Sequence, residues 1–334
     1  MQTKATILPI NIGIDFGTSY SKVCFEEKKE EKIYIKLVKD NPKPEYKHSR
    51  VYFDYLNKVF YYQRPKNTNS IETINYFKYS MIDKSLKRSE YISLSNPETT
   101  PEILCCVFFI ACLIKQSKKD IEKQYKKYGI LQFNWNITLG VPIDNYSKKF
   151  KPLYDMILQC AIKLSEGEYL NKYSISLNDL DNFCQKNKKI TIPGFKESRN
   201  NTLSELYAEC LAFLEDSNVP EGLYTIVDIG GATVDMAVIS KTQDESNKQK
   251  FKYGIIAKCI EPLGVEILIH KIAQHSDMYS NIRKLIKNDL FQFTDIKYNK
   301  KVEKELSHQF EDAFSKMAIE AKDKCINILI RVCL

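Results

Sequence analysis

Alternating apolar and polar residues open the chain, and this two-residue period predicts β-strands. The strand patterns occupy residues 11–15, 20–25, 32–38, 50–55 and 58–62. The small polar segment 16–19 separates the first two patterns and predicts the turn of a hairpin. The first part of the chain is therefore predicted to form a mainly antiparallel sheet.

Further along, the apolar residues recur every three to four positions, which predicts helices. The helical patterns occupy residues 71–82, 101–128, 148–164 and 202–215, and one more strand pattern lies at 133–141. Segment 165–201 is polar and rich in Asn and Lys, so we expect an irregular insertion there. The apolar run 103–114 is too short to cross a bilayer core of about 30 Å, and it predicts a buried helix that begins at Pro101.

The opening pattern returns in the second half of the chain. Strands predicted at 224–228 and 234–240 flank a glycine-containing turn, as in the first copy. Such a repeat is typical of a duplicated lobe. We therefore predict two lobes, residues 1–215 and 216–334, that face a cleft. The second lobe would continue with a charged loop at 242–250, a strand at 251–260 and helices from Gly264 onward.

Composition narrows the class of protein. The chain has 334 residues, 43% of them hydrophobic, which is enough for a sizeable core. Its net charge of +8 comes from lysine groups mixed with acidic residues, so we expect solvated helix faces and no nucleic-acid partner. Ten cysteines without a C-x-x-C pair, and a start that lacks a secretory signal, predict reduced thiols in a cytoplasmic protein without a membrane partner.

Two short turns contain the residue types that bind phosphate. They lie at 17–19 (Gly-Thr-Ser) and 230–233 (Gly-Gly-Ala-Thr), and small residues let several backbone N–H groups converge on an anion. Each turn follows a strand that ends in an aspartate, Asp15 or Asp228. Because Mg²⁺ is commonly held by one or two carboxylates together with water and phosphate, the two copies predict a magnesium and polyphosphate site.

These motifs resemble those of the DnaK-type heat-shock chaperones of the seventy-kilodalton class, in the actin-like ATPase superfamily. Residues 13–21 (GIDFGTSYS) resemble the first phosphate motif of that family and 227–235 (VDIGGATVD) resemble the second. The landmarks between and after them come in the family's order: 49–53 (SRVYF), 77–82 (FKYSMI), 137–142 (ITLGVP), 204–213 (SELYAECLAF) and 263–266 (LGVE). The resemblance covers almost the whole chain. It implies an α/β protein with the actin-like ATPase fold, in which two ribonuclease-H-like lobes surround a nucleotide cleft.

The resemblance also implies roles for individual residues, because phosphoryl transfer depends mainly on positioning and charge neutralisation. Lys78 would neutralise charge on the γ-phosphate, and Glu205 and Thr233 would hold the attacking water beside Asp228. The metal would be Mg²⁺, organised by Asp15, Asp228 and Asp235. The residues implied in binding ATP or ADP are Asp15, Gly17, Thr18, Ser19, Lys22, Gly230, Gly231, Ala232, Gly264, Glu320 and Lys324.

The chain departs from the family pattern in several places. Ala232 replaces a glycine of the second motif, and Leu206-Tyr207 replaces the Pro-Thr that normally follows the glutamate. No Gly-Gly loop for adenosine occurs between the second motif and residue 334, and we expect the protein to lack a peptide-binding domain. The second lobe is therefore predicted to be incomplete, and unfolded-protein clients or co-chaperones would bind through a missing or separate module.

Other interpretations stay open beside an ATP-hydrolysing DnaK-like domain. Lys22 occupies the position of a phosphate-binding lysine in actin-like filament proteins, and segment 165–201 would suit a subunit contact. The incomplete second lobe would suit a nucleotide-binding scaffold without hydrolysis. A sugar or acid kinase needs a cleft base that the sequence does not reveal. Lys78 would otherwise be a solvated helix lysine, and Glu205 a carboxylate stabilised by a helix dipole.

Overall fold

A computed structural model gives the structure of the chain. It describes residues 7–29, 32–37, 47–66, 68–81, 89, 91–94, 99–126, 132–142, 147–170, 172–187, 201–214, 218–244, 247–261 and 264–265. Helices combine with several sheets, so the protein has a mixed α/β fold. The chain divides into two compact units, Met1–Glu209 and Cys210–Leu334.

The described elements are numbered in chain order. The strands are β1 (Ile7–Phe16), β2 (Tyr20–Lys29), β3 (Lys32–Leu37), β4 (Lys47–His48), β5 (Arg50–Asp54), β6 (Val59–Tyr61), β7 (Ile71–Asn75), β8 (Gln132–Val141), β9 (Ser174–Ser176), β10 (Asn201–Ser204), β11 (Gly222–Ile229), β12 (Val234–Asp244) and β13 (Asn247–Glu261). The helices are α1 (Phe77–Ser80), α2 (Pro101–Lys126), α3 (Ser147–Glu166), α4 (Leu177–Asn187) and α5 (Glu205–Leu214).

The first unit contains a six-stranded sheet with strand order β10-β8-β1-β2-β3, in which β4 also pairs with β2. Strands β1, β2 and β3 are antiparallel to one another, whereas β8 is parallel to both β1 and β10. In β1, Ile10, Ile12, Ile14 and Phe16 are all buried, because alternate side chains of a strand point to the same face. The strands predicted at 11–15, 20–25 and 133–141 are thus confirmed.

Helix α2 is the centre of the hydrophobic core in the first unit. It packs against α1, α3, α4 and β5, and every side chain from Leu104 to Ile114 is buried. A helix that is apolar on all sides is stable only inside a core or a membrane. The prediction of a buried helix that begins at Pro101 is confirmed, and none of the described helices is long and apolar enough to cross a membrane.

A second sheet of the first unit has the order β7-β5-β6-β9, with antiparallel pairs throughout. The helix predicted at 71–82 is wrong, because Ile71–Asn75 forms β7 beside β5 and only Phe77–Ser80 is helical. Pairing with β5, together with the β-branched side chains of β7, outweighs the helical spacing.

The irregular insertion predicted at 165–201 is also wrong where the structure describes it. Strand β9 pairs with β6, and α4 follows it directly. Ile175, Leu177, Leu180 and Cys184 all lie in the hydrophobic core. Their burial gives a mostly polar segment enough apolar area to order it.

Two further boundaries differ from the sequence expectations. The helix predicted at 202–215 begins at Glu205, because Asn201–Ser204 forms β10 in parallel with β8. The loop predicted at 242–250 instead belongs largely to β12 and β13, whose antiparallel pairing continues to Asp244 and Asn247. Ladder hydrogen bonds satisfy the backbone in both segments, whatever the polarity of the side chains. The helices predicted after Gly264, with Glu320 and Lys324, lie outside the described residues.

The second unit contains a three-stranded antiparallel sheet with the order β11-β12-β13. Its first two strands form a hairpin in which Ile229 pairs with Val234 and Asp228 with Asp235. The first three strands of the chain have the same order and the same antiparallel arrangement. Each unit therefore contains a hairpin whose first strand has an aspartate next to its last residue.

Candidate functional site

The turn between β1 and β2 is held from one side by Ser49. The Ser49 backbone N–H donates to the Ser19 carbonyl at 2.9 Å, and its hydroxyl donates to the Gly17 carbonyl at 2.7 Å. The hydroxyl of Ser21 lies 2.9 Å from that of Ser49, and both serines are buried. Two carbonyl groups of the turn are thereby aimed at Ser49.

This attachment determines where the N–H groups of the turn point. In a planar trans peptide the C=O and the following N–H point in opposite directions, so the N–H groups of Thr18 and Tyr20 point away from Ser49. Adjacent N–H groups on a tight turn form an anion-binding concavity. Glycine is required at position 17, because a Cβ atom there would lie 2.2 Å from the Tyr20 carbonyl oxygen.

Asp15 and Lys22 lie opposite each other in the register of β1 and β2. The Lys22 Nζ is 3.4 Å from the Asp15 Oδ2, and both side chains are about half exposed, at 47% and 49%. Exposed ion pairs of this kind stabilise a protein by about 0–1 kcal/mol. A phosphate or a cation can therefore separate the two groups at little cost.

Lys78 lies directly behind the same turn. It is 4% exposed, and its Nζ donates to the Phe16 carbonyl and, at 2.8 Å, to the Glu205 Oε1. The ammonium group also lies 5.3 Å from the centre of the Phe16 ring. These contacts exclude the interpretation of Lys78 as a solvated helix lysine. An ammonium has three donors, so one N–H beyond these two contacts can serve a ligand oxygen.

The turn between β11 and β12 is held in a similar way by residues 264 and 265. Gly264 N–H donates to the Ala232 carbonyl and Val265 N–H to the Gly230 carbonyl, both at 3.0 Å, while Gly230 N–H closes the turn onto the Thr233 carbonyl at 2.9 Å. The N–H groups of Gly231 and Thr233 consequently point away from Gly264. A Cβ atom at position 264 would lie 2.4 Å from the Gly231 carbonyl oxygen, so only glycine fits there.

Two carboxylates lie next to this second turn. Asp228 and Asp235 are direct partners in the β11–β12 register, with Asp235 buried and Asp228 partly buried. Partnered residues share a face of the sheet, and like charges in that position repel each other. A cation would remove this repulsion, which fits the expected chemistry of Mg²⁺. Among the described residues, no group of three or more His, Cys, Asp or Glu side chains gathers around one point.

The structure forms one half-site in each unit. Asp15, Gly17, Thr18, Ser19, Lys22, Lys78 and Glu205 belong to the first unit, and Asp228, Gly230, Gly231, Ala232, Thr233, Asp235 and Gly264 belong to the second. Ala232 is buried. Gly264 supports the second turn through its backbone N–H, which donates to the Ala232 carbonyl.

Sequence reasoning missed Ser49 and Ser21 as functional residues. Ser21 lies within a predicted strand and Ser49 next to one, and their spacing of 28 residues contains no signal that they meet. Cys105, Cys106 and Cys112 pack inside the core of the first unit. Burial raises the pKa of the Cys105, Cys106 and Cys112 thiols, so they are neutral and unreactive.

Comparison of the chain with protein-family models gives no match, and comparison with curated proteins gives none either. Functional assignment therefore rests on the motifs of the chain and on the geometry of its two half-sites.

Proposed function

We propose that this protein is an ATP-binding, ATP-hydrolysing domain of the DnaK type. The observation that carries the proposal is the repeated turn. In both units a strand leads through an aspartate to a glycine-containing turn, and a neighbouring segment ties the carbonyl groups of that turn from one side. The opposite N–H groups of each turn then suit phosphate oxygens.

The strand order supports an actin-like fold for the proposed domain. Three antiparallel strands followed by two parallel strands, in the order β10-β8-β1-β2-β3, correspond to a ribonuclease-H-like lobe. The second unit repeats the first three of these strands.

The residues present fit a magnesium nucleotide, because Gly17 keeps the first turn open and carboxylates border both turns. Asp15, Asp228 and Asp235 would hold Mg²⁺, which would neutralise phosphate charge when bound. Lys78 would place its ammonium beside the γ-phosphate of the substrate. Glu205 and the Thr233 hydroxyl would orient the attacking water. Phosphoryl transfer needs chiefly this positioning and charge neutralisation.

As a DnaK-like protein in the cytoplasm, the domain would couple nucleotide binding to clients or co-chaperones held by a separate module. One observation favours a second candidate, an actin-like filament ATPase. The Lys22 ammonium lies beside the first phosphate-binding turn, paired with Asp15. Sedimentation with and without ATP distinguishes the two functions, because only a filament protein pellets when nucleotide is added.

Titration calorimetry with Mg·ATP tests the proposal. We expect binding by the wild-type chain and at least tenfold weaker binding by Asp228→Asn, because the substitution removes a charge that the metal requires. Asp179→Asn is the matched control, since Asp179 is an exposed carboxylate on α4 that belongs to neither turn. A folded wild-type chain that binds no Mg·ATP would overturn the proposal.

A further inference from the structure

Gly140 is a glycine near the carboxyl end of β8, a strand that pairs with β1 on one side and with β10 on the other. Glycine weakens a strand because it has no side chain to pack, and it often marks a place where another group approaches closely. In the register, Gly140 lies opposite Asp15 of β1 and Leu203 of β10. It therefore lies between the strand that leads into the first phosphate-binding turn and the strand that leads into Glu205.

Glu205 fills the space that a side chain at position 140 would need. A Cβ atom there would lie 3.2 Å from the Glu205 Cγ, whereas carbon atoms in contact prefer about 3.5–4.0 Å. The same Cβ would lie 3.3 Å from the Ile14 carbonyl oxygen and 3.7 Å from the Asp15 Cα, both of which are contacts that β-strands tolerate. An added methyl group would therefore displace the Glu205 side chain, by roughly 0.3 Å or more, and leave β1 in place.

The position of Glu205 determines its contact with Lys78. The Glu205 Oε1 lies 2.8 Å from the Lys78 Nζ. Lys78 is buried and also donates to the Phe16 carbonyl, so it is held in place and does not follow a carboxylate that moves. Hydrogen bonds between charged groups weaken when their distance and angle change. Any displacement of Glu205 from β8 therefore acts directly on the ion pair.

We propose that Gly140 is a positioning residue for Glu205, because the missing side chain lets Glu205 lie against β8 at hydrogen-bond distance from Lys78. The inference rests on the proposed function, in which Glu205 orients the attacking water. It assigns residue 140 to the hydrolysis step and not to nucleotide binding. The phosphates of ATP would bind to N–H groups of the turns, and a methyl group at position 140 leaves the strand that leads into the first turn in place.

The test compares Gly140→Ala with Gly167→Ala in the full chain. Gly167 lies directly after α3 in the first unit, and a Cβ atom there would lie 3.2 Å from the Tyr169 Cδ2 and 3.5 Å from the Lys163 carbonyl oxygen. The crowding nearly equals that at position 140, but neither neighbour belongs to a phosphate-binding turn or to the ion pair. Gly167→Ala therefore controls for the addition of a methyl group to a tight space.

Steady-state ATP hydrolysis and calorimetry with Mg·ATP measure the effect on function. We expect the kcat of Gly140→Ala to fall about tenfold, because catalysis is sensitive to misplacement of a positioned group by less than about 1 Å. The KM and the affinity for Mg·ATP should stay within about twofold of the wild-type values, since the turns that bind the phosphates are unchanged. Gly167→Ala should change none of these values.

A second measurement needs no nucleotide. The coupling energy between Lys78 and Glu205 is obtained from urea unfolding of Lys78→Met, Glu205→Gln and the double variant. We expect this coupling to be smaller when Gly140→Ala is also present, because the carboxylate no longer lies at its original distance from the ammonium. The same cycle with Gly167→Ala should give the wild-type coupling.

An unchanged Lys78–Glu205 coupling in the presence of Gly140→Ala would overturn the inference, as would an equal loss with Gly167→Ala. Equal losses of kcat and Mg·ATP affinity would overturn it too, because they would indicate a general structural role. A Gly140→Ala chain that does not fold would contradict a methyl group that displaces only a side chain. If the wild-type chain binds no Mg·ATP, the proposed function fails, and the coupling measurement alone decides whether Gly140 positions Glu205.

Discussion

Replacing Lys78 by methionine removes a buried positive charge and keeps most of the aliphatic stem. Lys78 and Glu205 have side-chain exposures of only 5% and 18%, and their charged atoms are 2.8 Å apart. Methionine cannot donate to Glu205 or to the Phe16 carbonyl. The substitution therefore removes the ammonium partner of the Glu205 carboxylate and the side-chain donor of the Phe16 carbonyl.

Removal of one partner from a buried ion pair costs about 3–5 kcal/mol. Water can reach Glu205 through its exposed fraction, so we expect a loss near the lower end, about 3 kcal/mol. This is a large share of the roughly 5–15 kcal/mol that stabilises a typical domain. The double variant Lys78→Met/Glu205→Gln also lacks the carboxylate charge, so it should recover about 1–2 kcal/mol of that loss.

Urea unfolding followed by tryptophan fluorescence measures these values. The chain has one tryptophan, Trp135 on β8, so the signal reports the first unit, where Lys78 and Glu205 lie. The single variants and the double variant complete a thermodynamic cycle. A loss below about 0.5 kcal/mol for Lys78→Met, or strictly additive losses, would refute the buried ion pair, because contacting charges must couple.

Two further substitutions test the first unit. Ser49→Ala removes the hydroxyl that donates to the Gly17 carbonyl and contacts Ser21. We expect the free energy of unfolding in urea to fall by about 1–3 kcal/mol, and Mg·ATP binding in calorimetry to weaken. Unchanged binding would contradict the role of Ser49. Burial alone would raise the pKa of Asp54, but hydrogen bonds from Asn57, Ser70 and Leu56 outweigh it and hold the pKa below the usual 3.8. An aspartate whose pKa is lower in the folded state than in the unfolded state stabilises the folded protein at pH values above the unfolded-state pKa. The unfolding free energy of the wild type should therefore exceed that of Asp54→Asn by its full amount at pH 7. This difference should disappear as the pH falls below about 3.8. An equal difference in unfolding free energy at pH 7 and pH 3 would be incompatible with this assignment.

Elements whose pattern is local could be predicted from the sequence. Strand β1 and helix α2 each place their apolar residues at a spacing that defines their own conformation, and both were expected within a few residues. Strands β7 and β10 were not expected from the sequence, because each is stabilised by pairing with a strand distant in the chain. A backbone partner contributes as much to strand formation as side-chain spacing, and it leaves no signal in the strand itself.

The candidate site divides in the same way. Both glycine-containing turns and their aspartates follow directly from short stretches of sequence, since a tight turn depends on small residues at consecutive positions. Lys78 and Glu205 are 127 residues apart, and no local rule predicts their 2.8 Å contact. The same is true of Ser49, whose hydroxyl meets the first turn only after β4 and β5 have placed it there.

By itself, then, the sequence determined an α/β protein with a repeated strand-and-turn pattern and the residue types for binding phosphate and magnesium. Tertiary structure alone decided that Lys78 is a buried, paired cation and that Ser49 and Gly264 hold the two turns. The reason is physical. Turn chemistry depends on a few adjacent residues, whereas burial and ion pairing depend on which distant segments share the same space.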